Sequence, residues 1–149
     1  MIKLETKRLI LRNYNESDFD DVFQYFSNED VSKYEDFYPM IAEEVKNIIN
    51  EWKEMDHRLV VELKSTQNVI GSIGYWTDNE GHHCIDYDFN PKYGGNGYAT
   101  EVGKVLVNHL FETIGVDAVY GDCDIRNSTN IFRILYGIDL NRTHVLLCK

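Results

Sequence analysis

Apolar and polar residues alternate near the start of the chain and then change to helical spacing. The run from Arg8 to Asn13 places Leu9 and Leu11 on one face, which predicts a β-strand. Residues 15–17 then offer N-cap side chains, with acidic residues in the turn that follows. Apolar residues at helical spacing come next, at Phe19, Val22, Phe23 and Phe26. The pattern therefore predicts a strand followed by an amphipathic helix.

A second helix and three strands are predicted in the middle of the chain. The helix runs from about Ile41 to Met55, after an aromatic-rich stretch that ends at Pro39. Apolar runs with turn-forming residues between them predict strands joined by antiparallel hairpins. These strands are Leu59–Leu63, Val69–Trp76 and Cys84–Phe89.

The last third of the chain opens with a glycine-rich turn, Gly94-Gly95-Asn96-Gly97. An amphipathic helix is predicted from there to about Ile114, where Gly115 can end it. The remaining predicted elements are a strand at Ala118–Cys123, a short helix from Asn127 to about Tyr136 and a strand at Thr143–Cys148. This order predicts an α+β fold, a mixed and mostly antiparallel sheet flanked by helices, in a single domain of residues 1–149.

Composition and charge narrow the function classes. With 15 Lys and Arg against 25 Asp and Glu in 149 residues, the formal net charge is −10, which disfavours nucleic-acid binding. The sequence has no apolar run long enough to span a membrane and no signal-peptide pattern at its start. Three widely spaced cysteines indicate neither a disulfide framework nor a metal site. We therefore expect a cytoplasmic protein without a membrane partner.

The glycine-rich turn is the strongest indication of a binding site. Glycines allow close approach of the backbone to a ligand, and the first N–H groups of a helix attract anions. The turn lacks the Lys of a Walker A loop, and Thr100 stands where a dinucleotide fingerprint has its third small residue. The turn is therefore a candidate anion site of another type, although an ordinary flexible turn would show similar glycines.

Three motifs in sequence order resemble the GCN5-related N-acetyltransferase (GNAT) superfamily, and most closely its ribosomal-protein N-acetyltransferase branch. The first is Glu5-Thr6-Lys7-Arg8-Leu9-Ile10-Leu11-Arg12, and the second is Ile70-Gly71-Ser72-Ile73-Gly74. The third is the turn from Tyr93 to Glu101, which is similar to the acetyl-CoA loop of that superfamily, although Gly94 stands where the motif has Gln or Arg. The resemblance covers residues 5 to about 130.

This resemblance implies acetyl-CoA as co-substrate and assigns roles to particular residues. The backbone of Phe89 and Asn90 would pair with the thioester and pantetheine, and Asn127 would bond the pantetheine. Tyr136 would protonate the leaving thiolate. The turn and the first residues of the helix would bind the pyrophosphate through Gly94, Gly95, Asn96, Gly97, Tyr98, Ala99 and Thr100.

The general base is left open between three alternatives. Asp86 lies on the strand where the superfamily places its base, and Asp88 shares its face because side chains alternate along a strand. His83 acting through a water molecule is a second alternative. A third is that no dedicated base exists, because an α-amine with a pKa of about 7.7–8.0 is partly neutral already. No metal site is expected.

The resemblance implies an acyltransferase that moves an acetyl group to a primary amine by direct attack on the thioester. The first acceptor class is a protein or peptide N-terminal α-amine, and the second is a small amine such as a polyamine or an aminoglycoside. A non-catalytic acyl-CoA-binding module is the alternative from another class. Acceptor specificity is expected in the region Ser27–Glu54 and in the C-terminal strands.

The C-terminal region departs from the superfamily pattern. A Lys-x-Gly-Phe ending is absent, and Gly137-Ile138-Asp139 stands in its place. After Asn127 the superfamily has a helix and two antiparallel strands, whereas only Thr143–Cys148 has a strand pattern here. The sequence therefore predicts an incomplete C-terminal hairpin, with either a poorly ordered tail or a dimer paired across this edge. The expected assembly is accordingly a monomer or a homodimer.

Overall fold

Seven strands form one mixed sheet in the described part of the chain, which is residues 2–33, 37–123 and 143–148 of a computed structural model. The strands lie side by side in chain order. Neighbours from β1 to β5 are antiparallel, whereas β6 is parallel to β5 and β7 is parallel to β6. Their bounds are β1 Lys3–Glu5, β2 Leu9–Asn13, β3 Arg58–Leu63, β4 Val69–Thr77, β5 His83–Phe89, β6 Ala118–Cys123 and β7 Thr143–Cys148.

Four α-helices accompany these strands in the same residues. They are α1 Phe19–Phe26, α2 Glu29–Ser32, α3 Ala42–Trp52 and α4 Tyr98–His109. A π-helical turn, Leu110–Ile114, continues α4, and it ends at Gly115, which has a φ of +85° and donates its N–H to the Leu110 carbonyl. Glycine adopts this left-handed conformation without steric cost, so Gly115 ends the helix as the sequence predicted.

The sheet is buried on both faces by two separate apolar clusters. Side chains alternate along β3, so Leu59 and Val61 face the cluster formed with α4, while Val60 faces the cluster formed with α1 and α3. All three residues have no exposed surface. The helices therefore form one layer on each face of the sheet, and α4 crosses over to connect β5 with the parallel strand β6.

The main elements predicted from the sequence are confirmed, with two omissions. The predicted hairpins of β3, β4 and β5, the helix around α3 and the long helix at α4 all occur close to their predicted bounds. The short elements β1 and α2 were not predicted. Both depend on interactions that a periodicity search does not detect: β1 pairs with β2, and Asn28 caps α2 by accepting the N–H of Asp30 at 2.9 Å.

The C-terminal strand is present as predicted at Thr143–Cys148. It pairs with β6 in a parallel register from Ala118↔Thr143 to Cys123↔Cys148. An antiparallel hairpin would have given the opposite strand direction, so this pairing differs from the superfamily arrangement that the sequence was compared with. The predicted helix from Asn127 to about Tyr136 lies outside the described residues.

Candidate cofactor and active site

The strands β5 and β6 separate after a short paired stretch. Their described pairing consists of Cys84↔Tyr120 and Ile85↔Gly121, while β5 stays paired with β4 as far as Phe89. The segment of β5 from Asp86 to Phe89 therefore has a partner on its β4 side and an opening on its β6 side. Unpaired N–H and C=O groups along such a strand can bond an extended ligand.

The backbone of Phe89 points toward this opening. Asn90, the next residue, donates its N–H to the Ile70 carbonyl of β4 at 2.9 Å. Backbone groups alternate in direction along an antiparallel pair, so the N–H of Phe89 is directed away from β4. Asn90 is itself buried and its side-chain amide bonds Gln24 at 3.1 Å. Its role in cofactor binding stays a prediction, while its observed contacts hold the end of β5 in place.

The glycine-rich turn lies directly after β5 and a short 3₁₀ turn at Pro91–Tyr93. Gly95 and Gly97 have φ values of +80° and +77°, a region that residues with a Cβ adopt at a cost. The side chain of Asn96 donates to the carbonyls of Tyr93 and Gly94, at 3.0 and 3.3 Å, and so fixes the turn from within. All four residues from Gly94 to Gly97 are exposed.

The start of α4 presents backbone N–H groups without intrahelical acceptors. The first such bond of the helix runs from Glu101 N–H to the Gly97 carbonyl at 3.1 Å, so the amides of residues 98–100 precede it. The N-cap residue, Gly97, has no side chain to accept from them. Gly94 instead donates its N–H to Pro91. The anion-binding amides thus lie between Gly95 and Thr100, next to the opening between β5 and β6.

The N-terminal segment reaches across the sheet to this helix start. Arg8 donates from Nε to Oε1 of Glu101 at 2.9 Å and from Nη2 to the Asn96 carbonyl at 2.9 Å. Thr6 donates its hydroxyl to Oε2 of Glu101. The Arg8 guanidinium also lies over the Tyr98 ring, 4.5 Å from its centroid. Two of the three motifs found in the sequence are therefore in contact.

The remaining turn residues complete the helix start. Tyr98 and Ala99 are half-buried and pack against the apolar cluster beneath α4. Thr100, also half-buried, lies in the first turn of the helix, where its hydroxyl is a candidate phosphate donor. A turn that is exposed at its glycines and packed at Tyr98 and Ala99 fits a phosphate-bearing ligand, because the amides are held in place before it binds.

Asp86 lies on the same stretch of β5 and forms an ion pair with Arg58 of β3. The two groups approach to 2.8 Å over the backbone of Gly74, which is in register with both residues. A Cβ on Gly74 would lie 3.1 Å from both Arg58 Nη1 and Asp86 Oδ1, so the glycine makes room for the pair. Asp86 keeps 43% of its side-chain surface exposed.

A buried hydroxyl cluster occupies the next position along the same face. Ser72 of β4 is in register with Asp88, and its hydroxyl bonds the phenols of Tyr14 and Tyr25, the latter at 2.6 Å. Burial raises the pKa of both phenols, and the nearby Asp88 carboxylate raises them further. The tyrosines therefore stay neutral and hydrogen-bonded, and the cluster supports β4 from beneath.

The other candidate base, His83, lies at the far end of β5. Its Nδ1 is 3.4 Å from the Thr77 hydroxyl in the register pair of these two residues. Cys84, beside it, is buried. Near this end, the side chains of Asp78, Glu80 and His82 bring possible ligand atoms within 4.8 Å of one another. Asp78 already accepts the N–H groups of Glu80 and His82 in the hairpin turn, so this grouping is explained without a metal.

Two predicted site residues, Asn127 and Tyr136, lie outside the described residues. The structure also contains site residues to which the sequence gave no role. Thr6 and Arg8 belong to a motif that was found, but its contact with Glu101 joins positions more than ninety residues apart. No sequence signal pointed to Arg58 as the partner of Asp86.

Comparisons with known proteins define the class. The family model described as "Acetyltransferase (GNAT) domain" matches residues 8–132, and the chain therefore belongs to the GNAT acetyltransferases. It is 30% identical over 124 residues to the uncharacterized N-acetyltransferase YoaA of Bacillus subtilis (strain 168), covering 78% of this chain and 70% of YoaA. The protein is accordingly an acyltransferase of a family that uses acetyl-CoA.

Solved structures have the same fold. A GNAT-family acetyltransferase from Bacillus anthracis superposes with a TM-score of 0.83 at 24% identity, covering 91% of this chain and 81% of that one. The spermidine N-acetyltransferase of Vibrio cholerae, solved with CoA and spermine, has a TM-score of 0.73 at 18% identity, with 89% and 80% covered. RimL, a ribosomal L7/L12 α-N-protein acetyltransferase solved with CoA, has a TM-score of 0.74 at 14% identity, with 91% and 81% covered. Among the helices of the described residues, none combines the length and apolar character of a membrane span.

Proposed function

We propose that this chain transfers the acetyl group of acetyl-CoA to the N-terminal α-amine of a protein or peptide. One observation carries the proposal: the exposed glycine turn and the free amides of α4 adjoin the opening between β5 and β6. A ligand with a pyrophosphate at one end and an extended amide chain at the other matches these two features.

The chain's own residues divide the reaction between them. The thioester supplies an activated acetyl group, which is transferred when a C–N bond forms and the C–S bond breaks. The amine loses a proton and the thiolate gains one. We assign the Phe89 amide to the thioester end of the ligand, Asp86 to proton removal and Tyr136 to protonation of the thiolate. Asp86 is suited to its role by partial exposure and by its place on the strand that borders the opening.

The acceptor assignment draws on a cavity in the segment that was expected to set specificity. It has a volume of about 740 Å³, and its lining is Glu29, Asp30, Ser32, Lys33, Phe37, Tyr38 and Pro39. Two carboxylates beside one lysine and two aromatic rings suit a peptide, which offers charges of both signs and apolar side chains. A polyamine carries positive charges alone and would gain less from Lys33. Similarity to RimL favours the same class, while the spermidine enzyme keeps the small-amine alternative in the test.

The experiment is a transfer screen with thiol release as the readout. Acetyl-CoA is offered together with peptides that have free N-termini, with polyamines and with aminoglycosides, and acetylated products are identified by mass spectrometry. We expect turnover with a subset of the peptides, no turnover after their N-termini are blocked, and no loss of rate with a chelator. Turnover with small amines alone would replace the acceptor class. CoA binding without turnover of any amine would indicate a non-catalytic binding module.

A further inference from the structure

The first turn of α4 contains a carboxylate beside the proposed pyrophosphate site. Glu101 lies four residues after Gly97, whose carbonyl accepts the Glu101 N–H. A carboxylate here stabilises the helix, because the N-terminal end of a helix has a partial positive charge. The same charge would repel a phosphate group bound to the amides of residues 95–100. The protein therefore needs Glu101 neutralised if this turn is to bind a pyrophosphate.

Thr6 and Arg8 occupy both carboxylate oxygens of Glu101. Oε1 accepts from Arg8 Nε at 2.9 Å, while Oε2 accepts from the Thr6 hydroxyl and from the Arg8 backbone N–H at 3.3 Å. These hydrogen bonds and the Arg8 charge together outweigh the effect of burial, so the pKa of Glu101 is lowered and the group stays ionised. The side chain of Glu101 is 22% exposed, which leaves its negative charge directed at Arg8 rather than at solvent.

Arg8 also contacts the turn itself. Its Nη2 donates to the Asn96 carbonyl and would lie 3.9 Å from a Cβ built on Gly97. Arg8 thus places a guanidinium along the turn, on the residue whose carbonyl must point away for the amides to face a ligand. Of the described residues, none accepts a bond from Nη1, and 41% of the Arg8 side chain is exposed.

We propose that Arg8, assisted by Thr6, is a positioning residue of the cofactor site that neutralises Glu101 and fixes the Asn96–Gly97 turn for the pyrophosphate. This inference rests on the proposed use of acetyl-CoA. It assigns a role to the Thr6-Lys7-Arg8 segment, which is distant in sequence from the turn. The effect is specific to the phosphate end of the ligand, because Arg8 contacts only the turn and the start of α4 among the features of the site.

The test compares two acetyl donors across a double-mutant cycle. Arg8→Ala, Glu101→Gln and the double variant are assayed with acetyl-CoA and with acetyl-pantetheine, which lacks the pyrophosphate. A charge-assisted contact predicts a rise of roughly tenfold in KM for acetyl-CoA in Arg8→Ala, with kcat little changed. The efficiency with acetyl-pantetheine stays within about twofold, and the double variant recovers roughly threefold of the loss because the unpaired carboxylate is gone. Lys3→Ala is the control, since it removes a cation of the same segment that pairs with Glu5.

The contrary results are distinct from failure of the proposed function. Equal losses with both donors, or a double variant no better than Arg8→Ala, would overturn the positioning role and leave a structural one. If the wild-type protein binds no CoA in calorimetry, the proposed function itself fails. Should Arg8→Ala not fold, Arg8→Lys replaces it in the same cycle. It keeps the charge but loses the two-pronged contact with Glu101 and Asn96, so a smaller rise in KM for acetyl-CoA alone is expected.

Discussion

Arg58 donates from a single nitrogen, Nη1, to both carboxylate oxygens of Asp86, at 3.0 and 2.8 Å. The pair joins β3 to β5 across β4, and the Arg58 guanidinium also lies 5.4 Å from the centroid of the Trp52 ring of α3. Asp86 is therefore held in one orientation beside the opening of the sheet. A proton that it accepts from an amine must be taken in competition with Arg58, so the pair couples the position of the carboxylate to its reactivity.

Replacement of Asp86 by Asn tests the proposed base. The amide keeps the size of the side chain but cannot accept the proton, so we expect kcat to fall roughly 10²-fold or more. KM for acetyl-CoA should be unchanged, because the proposed pyrophosphate site is elsewhere. Steady-state rates across the pH range in which the acceptor amine titrates provide the measurement, and the wild-type rate should rise with pH in that range.

Asp88→Asn is the matched comparison, because Asp88 is two residues away on the same face of β5. If the large loss occurs in this variant instead, the base has been assigned to the wrong carboxylate. If both variants turn over at nearly the wild-type rate, the amine must lose its proton without a dedicated base, which was the third alternative drawn from the sequence.

Gly74→Ala should destabilise the protein and disturb the Arg58–Asp86 pair. The added Cβ would lie 2.9 Å from the His57 carbonyl, as well as within 3.1 Å of both members of the pair. Overpacking of this kind costs about 1–3 kcal/mol of unfolding free energy, which urea titration can measure. Gly81→Asn is the control, since no atom lies within 4 Å of its Cβ and Asn tolerates positive φ. Equal stability of wild type and Gly74→Ala would show that the strands shift to make room.

Gly97 allows charge to be separated from backbone strain at the proposed pyrophosphate site. Gly97→Asn and Gly97→Asp impose nearly the same strain at φ +77°, and the space around this Cβ is open apart from Arg8. Only Asp adds a negative charge among the anion-binding amides. We expect Asp to weaken CoA binding at least roughly tenfold relative to Asn, as measured by calorimetry. Equal CoA affinities for the two variants would move the pyrophosphate away from this turn.

Local patterns in the sequence were sufficient for most of the fold and for the position of the cofactor turn. The β3–β5 hairpins and α4 have strong periodicity, and a glycine turn between a strand and a helix has few other uses. The ion pairs of the site were beyond that reach. Arg58 and Asp86 are 28 residues apart, and only the register of three strands brings them together over Gly74. The Arg8–Glu101 contact likewise depends on the packing of α4 against the sheet.

Glu101 also makes a prediction about stability and pH. Burial acts to raise its pKa, but the hydrogen bonds from Thr6 and Arg8 are stronger in sum and lower it below its usual value of 4.5. A group whose pKa is lower in the folded state stabilises that state above its unfolded pKa, and this contribution is lost as the pH falls through the folded value. Wild type should therefore unfold at higher urea than Glu101→Gln near neutral pH.

The advantage of wild type over Glu101→Gln should shrink steadily below about pH 4.5, because protonated Glu101 no longer attracts Arg8. Urea titrations at several values between about pH 7 and pH 3 give the difference in unfolding free energy at each pH. Glu51→Gln removes an exposed carboxylate from α3 and corrects for the general effect of one lost charge. A difference between wild type and Glu101→Gln that stays constant, or grows as the pH falls, would mean that Thr6 and Arg8 bind the protonated side chain as well as the ionised one. The neutralising contact proposed for the cofactor turn would then lose its electrostatic basis.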